Sequence, residues 1–115
     1  MSDRLRAELQ RALEGGGPGA DAARTALADG PIRRRVEAGI RALAEHRGPR
    51  SSTCPSDAAR AVGGEQWRDL MDCAREVAAE LAERGDVQIT QHGRVLDPGA
   101  PWSGPIRIRT TRPDR

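Results

Sequence analysis

Two cysteines, two histidines and 19 arginines carry most of the chemistry that this 115-residue sequence can offer. The most suggestive thiol is Cys54, in the stretch Thr53-Cys54-Pro55-Ser56-Asp57. With Cys54 at the N-cap of a helix, Pro55 falls at N1 and Asp57 at N3, a capping-box layout with Cys in place of Ser or Thr. A thiol there feels the positive end of the helix dipole, which favours thiolate and makes Cys54 a candidate redox sensor. The plainer reading is a passive cap, because no His or Asn at a catalytic spacing accompanies it. Cys73 reads as a small packing residue. His46, Cys54, Cys73 and His92 are separated by 7, 18 and 18 residues, unlike the short paired spacings of zinc sites. Gly15-Gly16-Gly17 lacks both the flanking strand and the Lys-Ser/Thr of a phosphate cradle. The expectation is therefore no metal, no cofactor and no enzyme, since no residue takes a catalytic role.

The arginines are not massed into a basic tail. Formal net charge is +2, and every basic residue is arginine. The stretch 29–50 carries +3 and 86–115 carries +2, whereas 51–85 carries −3 and 1–28 is neutral. No apolar run approaches the ~20 residues of a membrane span. The N-terminus has charges every few residues and no signal-like apolar stretch, so the expected location is cytoplasmic, with reduced thiols.

These side chains need elements to position them. Residues 2–14 suit a helix with a weak Leu5/Leu9/Leu13 row, followed by a glycine-rich run expected to act as a flexible linker. Residues 1–29 are thus expected to be a loosely attached arm, and 30–112 the folded domain. Ile32, Val36, Ile40 and Leu43 recur at helical spacing over 31–46. Ser51–Thr53 is extended, and the Cys54-capped helix stops at Gly63-Gly64. From Glu65 to about Arg84, Trp67, Leu70, Met71, Ala74, Val77, Ala78 and Leu81 predict one long helix. The period then falls to two: Val87 and Ile89 alternate with Gln88 and Thr90, His92-Gly93 makes a hairpin turn, and Ile106-Arg107-Ile108-Arg109 forms another strand. The pattern predicts an α+β winged helix, a helix-turn-helix followed by a β-hairpin wing.

The residues from Cys54-Pro55-Ser56 through Trp67-Arg68-Asp69-Leu70-Met71, with Ile89-Thr90-Gln91, Gly93-Arg94, Asp97-Pro98 and Gly104-Pro105-Ile106-Arg107, resemble domain of unknown function 3253. That is a family of small bacterial proteins described as winged-helix-like. The resemblance spans about residues 33–110. It implies the fold and brings no activity or ligand with it.

A winged helix suggests double-stranded DNA, but the predicted long helix carries Glu65, Asp69, Asp72, Glu76, Glu80 and Glu83 opposite its apolar stripe. An acidic ridge is repelled by two phosphate rails, so head-on insertion of that helix is disfavoured. The expected contacts are instead Arg94 on the wing, Arg107 and Arg109 on the last strand, Arg33 and Arg34 in the cluster Arg33-Arg34-Arg35, and Arg68 and Arg75 on the helix shoulder. The leading expectation is a DNA-associated regulatory module. The alternative is a protein-interaction module whose acidic ridge faces a basic partner, and the third reading is the Cys54 sensor. A monomer or weak dimer is expected.

Overall fold

The apolar positions sort onto two sides of one helix. In the computed structural model, which describes residues 3–113, α3 spans Ile32–Arg47. Val36 and Ile40 are buried in one cluster, while Ala38, Ala42 and Leu43 are buried in a second. Ile32, expected on the apolar stripe, is 45% exposed, because the buried face begins one turn later. Gly48 ends the helix at φ 82°.

The first cluster is filled from the C-terminal half of the chain. After α3, Thr53 forms an isolated bridge to Ile108, with N–H to carbonyl distances of 2.8 and 2.7 Å. Helix α4 (Pro55–Gly63) starts at the Cys54 N-cap with the capping box that the sequence predicts. The long helix expected from Glu65 is in fact two elements. A 3-10 turn covers Gly64–Leu70, and α5 covers Met71–Glu83. Trp67 and Leu70 consequently pack on the margin of the core, half-buried, whereas Ala74, Val77, Ala78 and Leu81 lie within it. Gly85, at φ 82°, closes α5, and the Asp86 N–H reaches back to the Leu81 carbonyl at 2.9 Å.

Strands β1 (Val87–Gln91), β2 (Arg94–Val95) and β3 (Arg107–Thr110) form an antiparallel sheet in the order β2-β1-β3. His92 (φ 52°) and Gly93 (φ 80°) both occupy the left-handed region that a two-residue hairpin turn requires. The turn sets the register Gln91 opposite Arg94, and β1 pairs with β3 so that Ile89 lies opposite Ile108. Both isoleucines are fully buried. The architecture is therefore α+β, and its element order is compatible with a winged-helix-like fold.

The second cluster corrects the expectation of a loose arm. Helix α1 (Asp3–Gly15) and α2 (Ala20–Leu27) pack against α3 and α4, with Leu5, Leu9 and Ala12 at 2% exposure or less. The glycine run is a tight turn between the two helices rather than a flexible linker. A Cβ at Gly19 would stand 2.8 Å from the Ala42 carbonyl oxygen, so glycine lets α2 approach α3 closely. Burying a leucine side chain stabilises by about 1.5–3 kcal/mol, and both Leu5 and Leu9 contribute this to the docking of the hairpin. Residues 1 and 2 of the expected arm lie outside the described residues.

Candidate nucleic-acid interface

Strand alternation divides the sheet into an inner face, with Val87, Ile89, Ile108 and Thr110 buried, and an outer face. On the outer face Arg107 lies opposite Thr90, and Arg109 opposite Gln88. Both guanidinium groups are tethered. Arg107 Nε donates to Ser52 Oγ at 2.8 Å and its Nη2 to the Ser52 carbonyl at 2.9 Å. Arg109 Nη2 donates to Gln88 Oε1 at 2.8 Å. The partners that hold each fork are neutral, no ion pair to either arginine forms among the described residues, and each guanidinium retains N–H donors.

Arg94 is exposed but does not share this face. Cross-strand partners point to the same side of a sheet, and Arg94 pairs with Gln91, two residues on from Ile89. Its position at the end of the hairpin therefore sets it apart from Arg107 and Arg109. Arg68 and Arg75 are also partly committed. The Arg68 and Arg60 guanidinium carbons lie 4.6 and 4.3 Å from the Trp67 ring centroid, and that of Arg75 lies 4.6 Å from the Trp102 centroid.

Arg33 is the clearest departure from the sequence expectation. It bridges Glu76 Oε1 at 3.1 Å and Glu80, so a residue proposed for phosphate is held by α5. The same contact disrupts the acidic ridge, since two of its six carboxylates already have a cation. The 3-10 turn divides the remainder: Glu65 and Asp69 belong to that turn, Asp72 and Glu83 to α5, and all four are exposed. Arg34 is exposed beside Arg24 and Arg35 around a cleft of about 280 Å³. A larger open groove, about 1100 Å³, runs between the Gly16–Gly19 turn, α3 and Arg112, and none of the candidate arginines lines it.

Sequence reasoning missed a charged network beneath Cys54. Arg47 donates to both oxygens of Glu8, at 2.8 and 2.7 Å, to the Ser52 carbonyl at 2.9 Å and to Asp57 at 3.2 Å. The Thr53 hydroxyl donates to Asp57 at 2.8 Å, and the Cys54 N–H to the same oxygen at 3.4 Å. Glu8 and Asp57 are 15% exposed and Arg47 is 18%. The capping role of Asp57 was legible, but Glu8 is 39 residues from Arg47 and nothing local joins them. Cys54 itself is half-buried, with Sγ 3.2 Å from Ser56 Oγ.

The Arg47 hydrogen bond holds the Glu8 carboxyl below its usual range, against the opposing effect of burial. For Asp57, burial is the largest influence and pushes upward. The Thr53 hydroxyl, the Arg47 charge, and the Cys54 thiol and N–H together outweigh it and lower the carboxyl. A carboxylate whose folded pKa is lowered adds stability above its unfolded value, about 4, and loses it as pH falls through the folded value. At pH 7, Glu8→Gln should cost about 1.5–3 kcal/mol, the range for a charge-assisted hydrogen bond. The gap from wild type, read by urea denaturation, should begin to close as pH falls through the unfolded value, about 4, and go on closing through the lowered folded value. A gap constant with pH would mean the pairing contributes nothing.

Among the described residues no group of His, Cys, Asp and Glu could hold a metal ion, and no helix is long and apolar enough to cross a membrane. Comparison with curated proteins finds no match. A family model, described as a protein of unknown function (DUF3253), matches residues 33–111, from the first turn of α3 to the residue after β3. The match takes in all but the first residue of α3, then α4, the 3-10 turn, α5 and the whole sheet, and on that extent the chain belongs to the DUF3253 family.

Proposed function

We propose that the protein is a non-enzymatic winged-helix module that associates with double-stranded DNA as a regulatory protein. It contacts phosphates through the wing and the outer face of the sheet, while α5 lies alongside the duplex instead of entering the major groove. In this reading α4 and α5 are the helix-turn-helix pair, Thr53 is the short first strand, and the segment from β1 to β3 is the wing. One observation carries it. Arg107 and Arg109 stand side by side on the sheet, held by Ser52 and Gln88, and their cross-strand partners Thr90 and Gln88 are uncharged. Guanidinium groups held in place lose less freedom on binding, which favours association.

Arg94 adds a contact at the hairpin end, and Arg34 a peripheral one. Arg33 falls out of the set, because its role is to cancel Glu76 and Glu80. That cancellation lowers the repulsion between α5 and a nearby phosphate rail. It also weakens the alternative in which the acidic ridge captures a basic protein. The sensor reading keeps only the position of Cys54 at a helix N-terminus.

Fluorescence anisotropy with a random duplex at several salt concentrations tests the proposal. Wild type should bind at low salt with a steep salt dependence, and the double variant R107A/R109A should lower the magnitude of the log–log slope by about two. Absence of binding at low salt would refute the DNA reading and leave the protein-partner one.

A further inference from the structure

The proline-rich loop between β2 and β3 is pinned from two other elements. From α5, Arg75 stacks 4.6 Å from the Trp102 ring centroid and donates through Nη2 to the Gly104 carbonyl at 3.2 Å. From β1, Gln91 Nε2 donates to the Ser103 carbonyl at 2.7 Å and to the Pro105 carbonyl at 3.1 Å. Three successive carbonyls, those of residues 103, 104 and 105, are thus held by two side chains. Within the loop the Gly99 N–H donates to Asp97 Oδ1 at 2.9 Å. Leu96 and Trp102 pack against the first core cluster, and Ile106 is 2% exposed.

A connection of this length without ladder bonds samples many conformations unless other elements restrain it. Arg75 supplies such a restraint, and doing so commits its fork. One face is on the indole and one N–H is on a carbonyl, which limits how far the group can follow a phosphate. We infer that Arg75 is a positioning residue, which acts through Trp102 and the Gly104 carbonyl to fix the wing loop and thereby to keep the two-residue strand that carries Arg94 from fraying. Its consequence for DNA rests on the proposed function; the ordering of the loop does not.

A double-mutant cycle of R75A and W102A tests this, with W102L in place of W102A if circular dichroism shows the alanine variant to be unfolded. In the free protein, ¹⁵N relaxation should find the amides of residues 102–104 as ordered as those of β1. They should lose order in either single variant and lose no more in the double. On random duplex DNA each single variant should weaken binding about fivefold, with the double no weaker than the worse single, as expected for residues acting as one unit. Loop amides unchanged in R75A would overturn the inference. So would R75A lowering the salt slope by about one in both the wild-type and the Trp102-variant backgrounds, which is the mark of a direct phosphate contact. If wild type binds no duplex, the DNA reading fails, and the relaxation data alone decide whether Arg75 orders the loop.

Discussion

Replacing Arg47 with methionine should lower the unfolding free energy by about 3–5 kcal/mol, the cost of removing one partner from a largely buried ion pair. The arginine joins three segments: Glu8 of α1, the Ser52 carbonyl ahead of the sheet bridge, and Asp57 in the first turn of α4. Without it two carboxylates, each 15% exposed, lose their cation. The triple change E8Q/R47M/D57N should recover a large part of the loss, because neutral groups cost less to bury than unpaired charges. Urea denaturation at pH 7 measures both. A loss below about 1 kcal/mol for R47M would place the network in the same class as a solvent-screened surface pair.

Leu9→Ala should cost about 3 kcal/mol, within the range measured for buried leucines elsewhere. Leu9 is fully buried among Ala23, Ala42, Leu43 and their neighbours, and deleting its branch leaves a cavity between α1 and α3. If residues 1–29 formed a loose arm, the same change would stay within about 0.5 kcal/mol. Thermal and urea unfolding distinguish these outcomes directly. Glu8 and Leu9 are adjacent on α1, so R47M and L9A act on one docked surface. Their combined effect should fall short of the sum.

The arm was misread because its interface is built largely from alanine. Helical periodicity weighs large apolar residues, and α1 shows only three leucines in a row. The surface they meet consists of Ala23, Ala26, Ala38, Ala42 and Ala61, with Leu43. Small side chains allow helices to approach closely, and Gly19 against the Ala42 carbonyl shows how closely. That complementarity is a property of pairs of helices, and no single segment displays it. The family match begins inside α3, yet the hairpin outside it covers Ala38, Ala42, Leu43 and Ala61 within it.

The β1–β2 hairpin was legible because its determinants are local. Alternation over Val87–Thr90 and a His-Gly turn that needs two positive φ angles both follow from short-range rules. The pairing that the turn sets runs on past β2, where the Leu96 N–H bonds the Ile89 carbonyl at 2.8 Å. The capping box at Cys54 was legible for the same reason. The split of residues 65–84 was not. The apolar spacing fits one helix throughout, but Gly64 takes φ 59° and the chain then winds through a tighter 3-10 turn. In that turn Leu70 lies over Gly63, where an added Cβ would stand 2.7 Å from Leu70 Cδ1. Arg33 illustrates the limit for a site residue. Its partners are 43 and 47 positions away, so its charge reads as free until α3 and α5 are seen to cross.

Titration of ¹⁵N-labelled protein with a short random duplex at low salt, followed by backbone amide and arginine Nε–Hε shifts, addresses the proposed mode of binding most directly. The proposed mode predicts that the largest shifts fall on Gln88, Thr90, Arg94, Arg107 and Arg109, with smaller ones along α5, which lies beside the duplex without entering the groove. Shifts centred on α5, or none at all, would contradict it.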